Sequence, residues 1–128
     1  MVIVRRTKQR QAILNKILSA EGPLSVSQIH GRASEELPRL GIATVYRTIK
    51  TLREEGEIVS VELPGEEAHY ESAGRGHHHH FRCWSCEQVF DLGVCPVGIP
   101  SGTTLPGGYR VEEHNLTLYG RCSSCVAT

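Results

Sequence analysis

The 128-residue sequence predicts an α+β protein with two small domains, one at residues 1–73 and one at residues 74–128. Two observations support this prediction. Three stretches with helical spacing of apolar residues precede a strand–turn–strand pattern, and two Cys-x-x-Cys pairs follow in the second half. Each half is short for a large hydrophobic core, so we expect a structural metal to add stability.

Apolar residues recur at helical spacing in the first 35 residues. Thr7 is a candidate N-cap of a first helix, which Gly22-Pro23 should end. Ser25 and Gln28 have the spacing of a capping box, which predicts the start of a second helix. The residues expected to face inward are Ile13, Leu14, Ile17, Leu18, Ile29 and Ala33.

A third helix is predicted at residues 43–55, where Gly56 ends it. Residues 57–63 and 68–72 are short strand candidates separated by the turn signal Pro64-Gly65. Three helices followed by a β-hairpin form the winged-helix arrangement, a variant of the helix-turn-helix. The residues of the third helix expected to face inward are Val45, Ile49 and Leu52.

The outer face of the third helix is polar and basic, which suits DNA. Thr44, Tyr46 and Arg47 lie near its N-terminal end, where a recognition helix meets base edges. The alternative is an ordinary amphipathic helix with a solvated basic face. Further residues that suit phosphate or minor-groove contacts are Lys50 and Arg53 on the same helix, and Arg5 and Arg6 in an N-terminal arm.

Charge is divided unevenly along the chain, although the net charge is zero. Residues 1–60 carry ten Lys and Arg against six Asp and Glu, whereas residues 61–128 carry four against eight. This asymmetry favours a polyanion-binding half joined to a cation-binding half. No apolar run approaches the roughly 20 residues of a membrane span, and no signal peptide is recognisable, so reduced thiols and a cytoplasmic location are expected.

The second half is rich in metal-ligand side chains. Two x-x-spaced cysteine pairs could supply the four sulfurs of a closed zinc site, with disulfides or simple packing as alternatives. On an extended chain the consecutive histidines of residues 77–80 would alternate between two faces. Strands are predicted at 81–84, 88–92 and 115–119, and the Gly/Pro-rich stretch 95–108 should lack a regular helix.

Four segments together resemble one known family. The segments GIATVYRTIKTLREEGEI, HYES, HHHHFRCWSC and HNLTLYGRCSSC, in this order, are similar to the ferric uptake regulator family of metal-sensing repressors. The resemblance implies a winged-helix DNA-binding domain, an α/β dimerisation domain and a homodimer that binds pseudo-palindromic promoter sites. It also implies that metal loading favours DNA binding.

The resemblance assigns three metal sites and a DNA-contacting surface. A structural zinc would be held by Cys83, Cys86, Cys122 and Cys125. A regulatory Zn²⁺, Fe²⁺ or Mn²⁺ in the hinge would be held by Glu71, His78, His80 and Asp91. A second family site would use His77, His79 and His114. DNA contacts would come from Tyr46, Arg47 and the N-terminal Arg5.

The sequence departs from the family pattern in three places. The segment before the second helix, Gly22-Pro23-Leu24, offers no histidine to the regulatory site; His30 or His69 could substitute, or could simply pack. The second site has no carboxylate in the Gly/Pro-rich stretch and is expected to lack a fourth ligand. Cys95 is an extra thiol, interpreted as a buried residue, a zinc-favouring ligand or a redox-sensitive group.

The preferred interpretation is a zinc-responsive repressor of metal homeostasis genes. Iron(II)- or manganese(II)-responsive regulators and peroxide sensors remain alternatives on the same scaffold, and a zinc-stapled interaction module without specific DNA binding is a more distant one. An enzyme is not expected. The segment from His69 to Glu71 superficially matches a zinc-deaminase signature, but Arg82 and Arg121 replace its proline, and a four-cysteine zinc leaves no open position for water.

Overall fold

The structure is a computed structural model that describes residues 2–126, with side chains described from Thr7 onward. The chain forms two compact units that divide between Arg75 and Gly76. The first unit contains α1 (Val2–Ser19), β1 (Leu24–Ser25), α2 (Val26–Ala33), α3 (Ile42–Glu54), β2 (Ile58–Val61) and β3 (His69–Ser72). The second unit contains β4 (His79–Cys83), β5 (Val89–Leu92), β6 (Thr117–Gly120) and α4 (Ser123–Val126).

Two details of α1 differ from the prediction. The helix begins at Val2, so Thr7 lies inside it and is not its N-cap. No glycine or proline interrupts residues 2–19, and the helix therefore extends further towards the N-terminus than the apolar pattern indicated. Leu18 is 53% exposed, whereas Ile13 and Ile17 are buried, because a helix turns about 100° per residue and carries Leu18 off the inward stripe.

The starts and ends of α2 and α3 follow from local chemistry. The capping box of α2 is confirmed: the Gln28 N–H donates to Ser25 Oγ at 3.2 Å, and the Ser25 N–H donates to Gln28 Oε1 at 3.0 Å. After α3, Gly56 adopts a φ of 75° and donates its N–H to the Arg53 carbonyl at 3.0 Å. This left-handed conformation suits glycine and closes the helix before β2.

The three helices of the first unit pack over a three-stranded antiparallel sheet with the order β1-β3-β2. The wing, β2 and β3, was predicted, but β1 was not, since two residues are too few to show an alternating pattern. Leu24 and Ser25 pair with Tyr70 and His69, so β1 ties the start of α2 to the wing. The core contains Ile13, Ile17, Leu24, Val26, Ile29, Ala33, Leu40, Val45, Ile49, Leu52 and Ile58.

The second unit is a small mixed sheet with the order β5-β4-β6. β4 pairs with β5 in antiparallel and with β6 in parallel orientation. A parallel pair needs a long crossover, and here the irregular segment 93–116 provides it. Its Gly/Pro-rich part has no regular helix, as predicted, and forms a small hairpin with a bridge between Thr104 and Arg110.

The core of the second unit is small and chemically unusual. Among its described residues, those less than a tenth exposed are His79, His80, Cys83, Val89 and Cys122. Most of these side chains are potential metal ligands rather than aliphatic groups, so burial of apolar surface contributes little to this unit. In the described part of the chain, no helix combines the length and apolarity needed to cross a bilayer.

Candidate metal centres and nucleic-acid interface

The four paired cysteines converge at one end of the second sheet. Cys83 ends β4, and Cys122 follows β6; because β4 and β6 run parallel with Cys83 opposite Gly120, both pairs reach the same end. Each cysteine offers a sulfur, and these sulfurs lie within 4.8 Å of one another, with Cys86 Sγ and Cys122 Sγ at 3.8 Å. A tetrahedral zinc with Zn–S distances of about 2.3 Å separates its sulfurs by about 3.8 Å, so these residues fit the ion.

The pKa values of Cys83 and Cys125 are shifted in opposite directions. The N–H groups of Cys86 and Cys122 donate to Cys83 Sγ, each at 3.4 Å, and lower the pKa of Cys83 from 9.0 to about 6. Hydrogen bonds with Cys122 and Cys83 raise the pKa of Cys125 to about 12. Crowded thiolates repel one another, and a bound divalent cation removes that repulsion. All five cysteines of the chain are free, so the disulfide alternative is not realised.

One face of β4 gathers the ligands predicted for the regulatory site within the second unit. His80 lies opposite Asp91 in the β4–β5 ladder, and His80 Nε2 is 3.3 Å from Asp91 Oδ1. His78 Nε2 is 3.9 Å from the same oxygen, while its Nδ1 is 2.9 Å from the Gly76 carbonyl. That carbonyl contact orients the ring so that its other nitrogen faces Asp91, as outer hydrogen bonds do for metal-bound histidines.

The other residues considered for this site lie in the first unit. Glu71 is on β3 and is 5% exposed, and its assignment as a ligand stays a prediction. His30 Nε2 is 2.8 Å from the Leu40 carbonyl, and His69 Nδ1 is 2.9 Å from the Glu67 carbonyl. Neither belongs to a described cluster of three or more ligand side chains. Both histidines are therefore engaged locally by the backbone, which favours the packing interpretation.

The opposite face of β4 contains a second cluster, and here one expectation was wrong. His77, His79 and His114 come together with a fourth ligand-type side chain, the extra thiol Cys95. His79 Nε2 is 3.0 Å from His114 Nε2, and Cys95 Sγ is 3.3 Å from each of these nitrogens. Ligation was one interpretation of Cys95, but its contact with these histidines could not be predicted, because Cys95 lies in an irregular segment where no periodicity indicates the direction of a side chain.

The thiol of Cys95 is surrounded by hydrogen-bonding groups. A hydrogen bond with His77 is the main cause that lowers its pKa from 9.0 to about 5, and the Gly98 N–H and His114 act in the same direction against desolvation. His79 beside it is 1% exposed, and the rings of His77 and His79 are 4.4 Å apart. The cluster thus combines one readily ionised thiol with three imidazoles.

The outer face of α3 carries the residues predicted to contact DNA. Tyr46 is 57% exposed, Arg47 and Lys50 are exposed, and Thr44 is half-buried. Arg47 donates from Nη2 to Thr44 Oγ1 at 3.1 Å, which holds the guanidinium near the start of the helix. Arg5 lies in α1, but its side chain is outside the described residues, so its minor-groove role stays a prediction.

A groove borders this surface within the first unit. It has a volume of about 460 Å³ and combines two arginines with hydroxyl groups, a chemistry that suits phosphate oxygens. Arg10 in this groove also pairs with Glu55 at 2.7 Å. The lining residues are Gln9, Arg10, Thr44, Arg47, Thr48 and Thr51.

Comparison with known proteins agrees with these features. The sequence profile of the Ferric uptake regulator family matches residues 2–119. A "Ferric uptake regulation protein" of Synechococcus elongatus is 29% identical over 127 residues, which cover 94% of this chain and 85% of that protein.

Two solved structures share the fold. A zinc-bound manganese uptake regulator superposes with a TM-score of 0.72 at 23% identity, covering 89% of this chain and 87% of that one. FurB of M. tuberculosis, a zinc uptake regulator, has a TM-score of 0.52 at 27% identity and covers 95% of both chains. The predicted α+β class, a winged-helix domain followed by a small dimerisation domain with a four-cysteine cluster, is confirmed. The chain belongs to the ferric uptake regulator family, whose members are metal-responsive transcriptional regulators and not enzymes.

Proposed function

We propose that this protein is a homodimeric, metal-dependent repressor that binds pseudo-palindromic promoter DNA in the cytoplasm and controls metal homeostasis genes. Zn²⁺ is the preferred signal. In this proposal the four-cysteine cluster holds a structural zinc, and the cluster on the first face of β4 holds the regulatory ion.

The observation that carries the proposal is the group formed by His78, His80 and Asp91, with its 3.3 Å contact between imidazole and carboxylate. Mixed nitrogen and oxygen ligands suit Zn²⁺, Fe²⁺ and Mn²⁺. Glu71, seven residues before His78 in the sequence, is our proposed fourth ligand. A ligand from the first unit would let metal binding favour one arrangement of the two units, which is the requirement for a switch.

The DNA-binding part of the proposal depends on α3. Its buried face is apolar, and its outer face exposes Tyr46 and Arg47 beside a groove that contains Arg10. Arginine pairs bidentately with guanine in the major groove, while lysine and threonine side chains suit phosphates. A homodimer would place two such helices on two half-sites of a palindrome.

The choice of metal depends on ligand chemistry, since similar proteins bear names that refer to iron, manganese and zinc. At the proposed regulatory cluster the imidazoles of His78 and His80 supply nitrogen ligands, which suit zinc. The Asp91 carboxylate also suits iron(II) and manganese(II), so regulators of those metals and an iron-based peroxide sensor are the alternatives.

The test is DNA binding as a function of metal. The full-length protein is purified with its tightly held zinc, stripped of weakly bound metal, and titrated anaerobically with Zn²⁺, Fe²⁺ or Mn²⁺ at fixed salt against promoter DNA. We expect Zn²⁺ to restore specific binding at the lowest free concentration. Equal DNA binding without added metal would contradict the regulatory role. Restoration of binding by Fe²⁺ or Mn²⁺ at a lower free concentration than Zn²⁺ would identify that metal, instead of zinc, as the signal.

Two adjacent histidines offer a matched pair of variants for the site itself. His78→Ala removes a ligand from the proposed regulatory cluster, whereas His77→Ala removes one from the opposite face. We expect His78→Ala to lose the metal response while remaining a folded dimer, and His77→Ala to keep the response. The reverse result would move the regulatory site to the other face of β4.

A further inference from the structure

We propose that Cys95 is a metal ligand, and that it makes the cluster with His77, His79 and His114 selective for zinc over manganese(II) and iron(II). The family resemblance accounts only for the three histidines. Ligation by Cys95 does not depend on DNA binding, so a negative result for either proposal would leave the other standing.

The four ligand atoms lie within 4.8 Å of one another, and the distances among three of them are close to those of a bound ion. An ion about 2.0–2.1 Å from nitrogen and about 2.3 Å from sulfur places tetrahedral N–N pairs about 3.3 Å apart and N–S pairs about 3.6 Å apart. The N–N distance between His79 and His114 is 3.0 Å, and both distances from Cys95 Sγ are 3.3 Å. A shift of a few tenths of an ångström would therefore admit the ion without moving β4.

Ordinary packing of a buried histidine explains the contacts of His79 less well than metal coordination does. His79 is 1% exposed, and a single hydrogen-bonding group would be enough to pair its Nε2. Instead, Cys95 and His114 both lie within hydrogen-bonding distance of this nitrogen. The ring centroid of His77 is also 4.4 Å from that of His79 and 4.6 Å from that of His114. This excess of nitrogen and sulfur donors around one point is typical of a metal site.

The two faces of β4 differ in their ligand chemistry. His78 and His80 meet the carboxylate of Asp91, a hard oxygen ligand, whereas His77 and His79 meet the sulfur of Cys95. Thiolate favours zinc and softer ions, while manganese(II) prefers carboxylate and water oxygens. The same strand would thus present a permissive cluster on one face and a zinc-selective cluster on the other.

Cys95 also connects the irregular segment to the sheet. No residue between 93 and 121 is buried, and the hydrogen bonds from Gly102 to Val111 and from Leu105 to Tyr109 stay within the segment. Cys95 and His114, near its two ends, contact His79 on β4. An ion bound by all of them would fasten the segment to the sheet, so zinc should slow its amide hydrogen exchange.

The test uses cobalt(II) as a spectroscopic probe in the full-length protein whose four-cysteine cluster remains filled with zinc. Because the opposite cluster contains no sulfur, a sulfur-to-cobalt charge-transfer band in the near ultraviolet would report on Cys95. We expect the amplitude of the band at saturation to correspond to one sulfur-bound cobalt per chain and the band to be absent in Cys95→Ser, with zinc content measured to confirm that the structural ion stays in place. A wild-type protein without the band, or a band that persists in Cys95→Ser, would overturn the proposal.

Selectivity is tested with a second variant that keeps a negatively charged ligand. In Cys95→Asp the ratio of zinc affinity to manganese affinity at this cluster should fall at least about tenfold, since even the outer partners of metal ligands change affinity by about 10–100-fold. Competition between the two metals, read from hydrogen exchange in the 93–114 segment, provides the measurement. An unchanged ratio would show that the thiol does not set the selectivity.

Discussion

Ser25 illustrates how a single side chain defines an element of this protein. Its hydroxyl accepts the Gln28 N–H, its own N–H donates to the Gln28 side chain, and its backbone belongs to β1. The residue therefore starts α2 and also pairs with His69 on the wing. Because it is 4% exposed, water has little access to replace these hydrogen bonds.

We expect Ser25→Ala to lower the free energy of unfolding of the first unit by about 1 kcal/mol, because the substitution leaves the Gln28 N–H without its capping acceptor. Ser27→Ala, at an exposed position two residues later, is the matched control and should change stability by less than about 0.5 kcal/mol. Urea unfolding followed by far-ultraviolet circular dichroism measures the difference, since the described helices of eight or more residues lie in this unit. Equal effects of the two variants would contradict the capping role.

The contacts of Cys95, unlike those of Ser25, could not be predicted from the neighbouring sequence. Its sequence context allowed packing, ligation or redox sensitivity, and only the path of the segment after β5 brings it to within 3.3 Å of His79 and His114. The separation of 16 residues from His79 is too large for a local pattern to predict such a contact.

At the scale of elements, α3 has a buried apolar face that stabilises the first unit and an outer face that we propose contacts DNA. Val45, Ile49 and Leu52 are buried, whereas Tyr46 and Arg47 are exposed. The sequence predicted this division because an amphipathic helix repeats every 3.6 residues. Changes on the outer face should therefore alter binding without unfolding the unit.

Arg47→Ala should weaken binding of the metal-loaded protein to promoter DNA by about 10–100-fold, which corresponds to roughly 1–3 kcal/mol for a bidentate base contact. Arg110→Ala removes the same charge from an exposed position in the second unit and serves as the control. Fluorescence anisotropy at fixed salt gives the affinities, and urea unfolding should show little change for either variant. Comparable losses from both variants would indicate a general charge effect instead of recognition by α3.

The strand β4 has a similar two-faced organisation. Alternation of side chains along an extended chain predicted that His78 and His80 would share one face, and their rings are 4.8 Å apart. The rings of His77 and His79 are 4.4 Å apart on the other face. On the first face the partner is Asp91 of β5, and its position depends on strand register. On the other face the partners are Cys95 and His114 of the irregular segment, and their positions depend on the crossover.

At the scale of the whole molecule, the two units should respond differently to loss of zinc. The first unit has an aliphatic core of buried Ile, Leu and Val residues, whereas the buried side chains of the second unit are mostly Cys and His. A unit without an extensive apolar core depends more on metal for its folding energy.

Removing the structural zinc from the full-length protein with a strong chelator should abolish slow hydrogen exchange in β4, β5 and β6 and preserve it in α1 and α3. Cys83→Ser should reproduce this pattern, because it removes a buried ligand of the four-cysteine cluster. Cys95→Ser, which leaves that cluster intact, should retain protection in the sheet. Hydrogen exchange measured by mass spectrometry reports both units at once, and loss of protection in α1 and α3 would contradict independent stabilities.

Local chemistry in the sequence determined the elements and the ligand types. Helical periodicity predicted the inward faces of α2 and α3, the Ser25 capping box predicted the start of α2, and the Cys-x-x-Cys spacing predicted one four-sulfur cluster. These features depend on residues a few positions apart, for which backbone geometry restricts the possibilities. Tertiary structure decided the rest, because contacts between distant residues depend on strand pairing and on the path of irregular segments. The parallel pairing of β4 with β6 unites the two cysteine pairs, and the crossover between β5 and β6 brings Cys95 and His114 to His79.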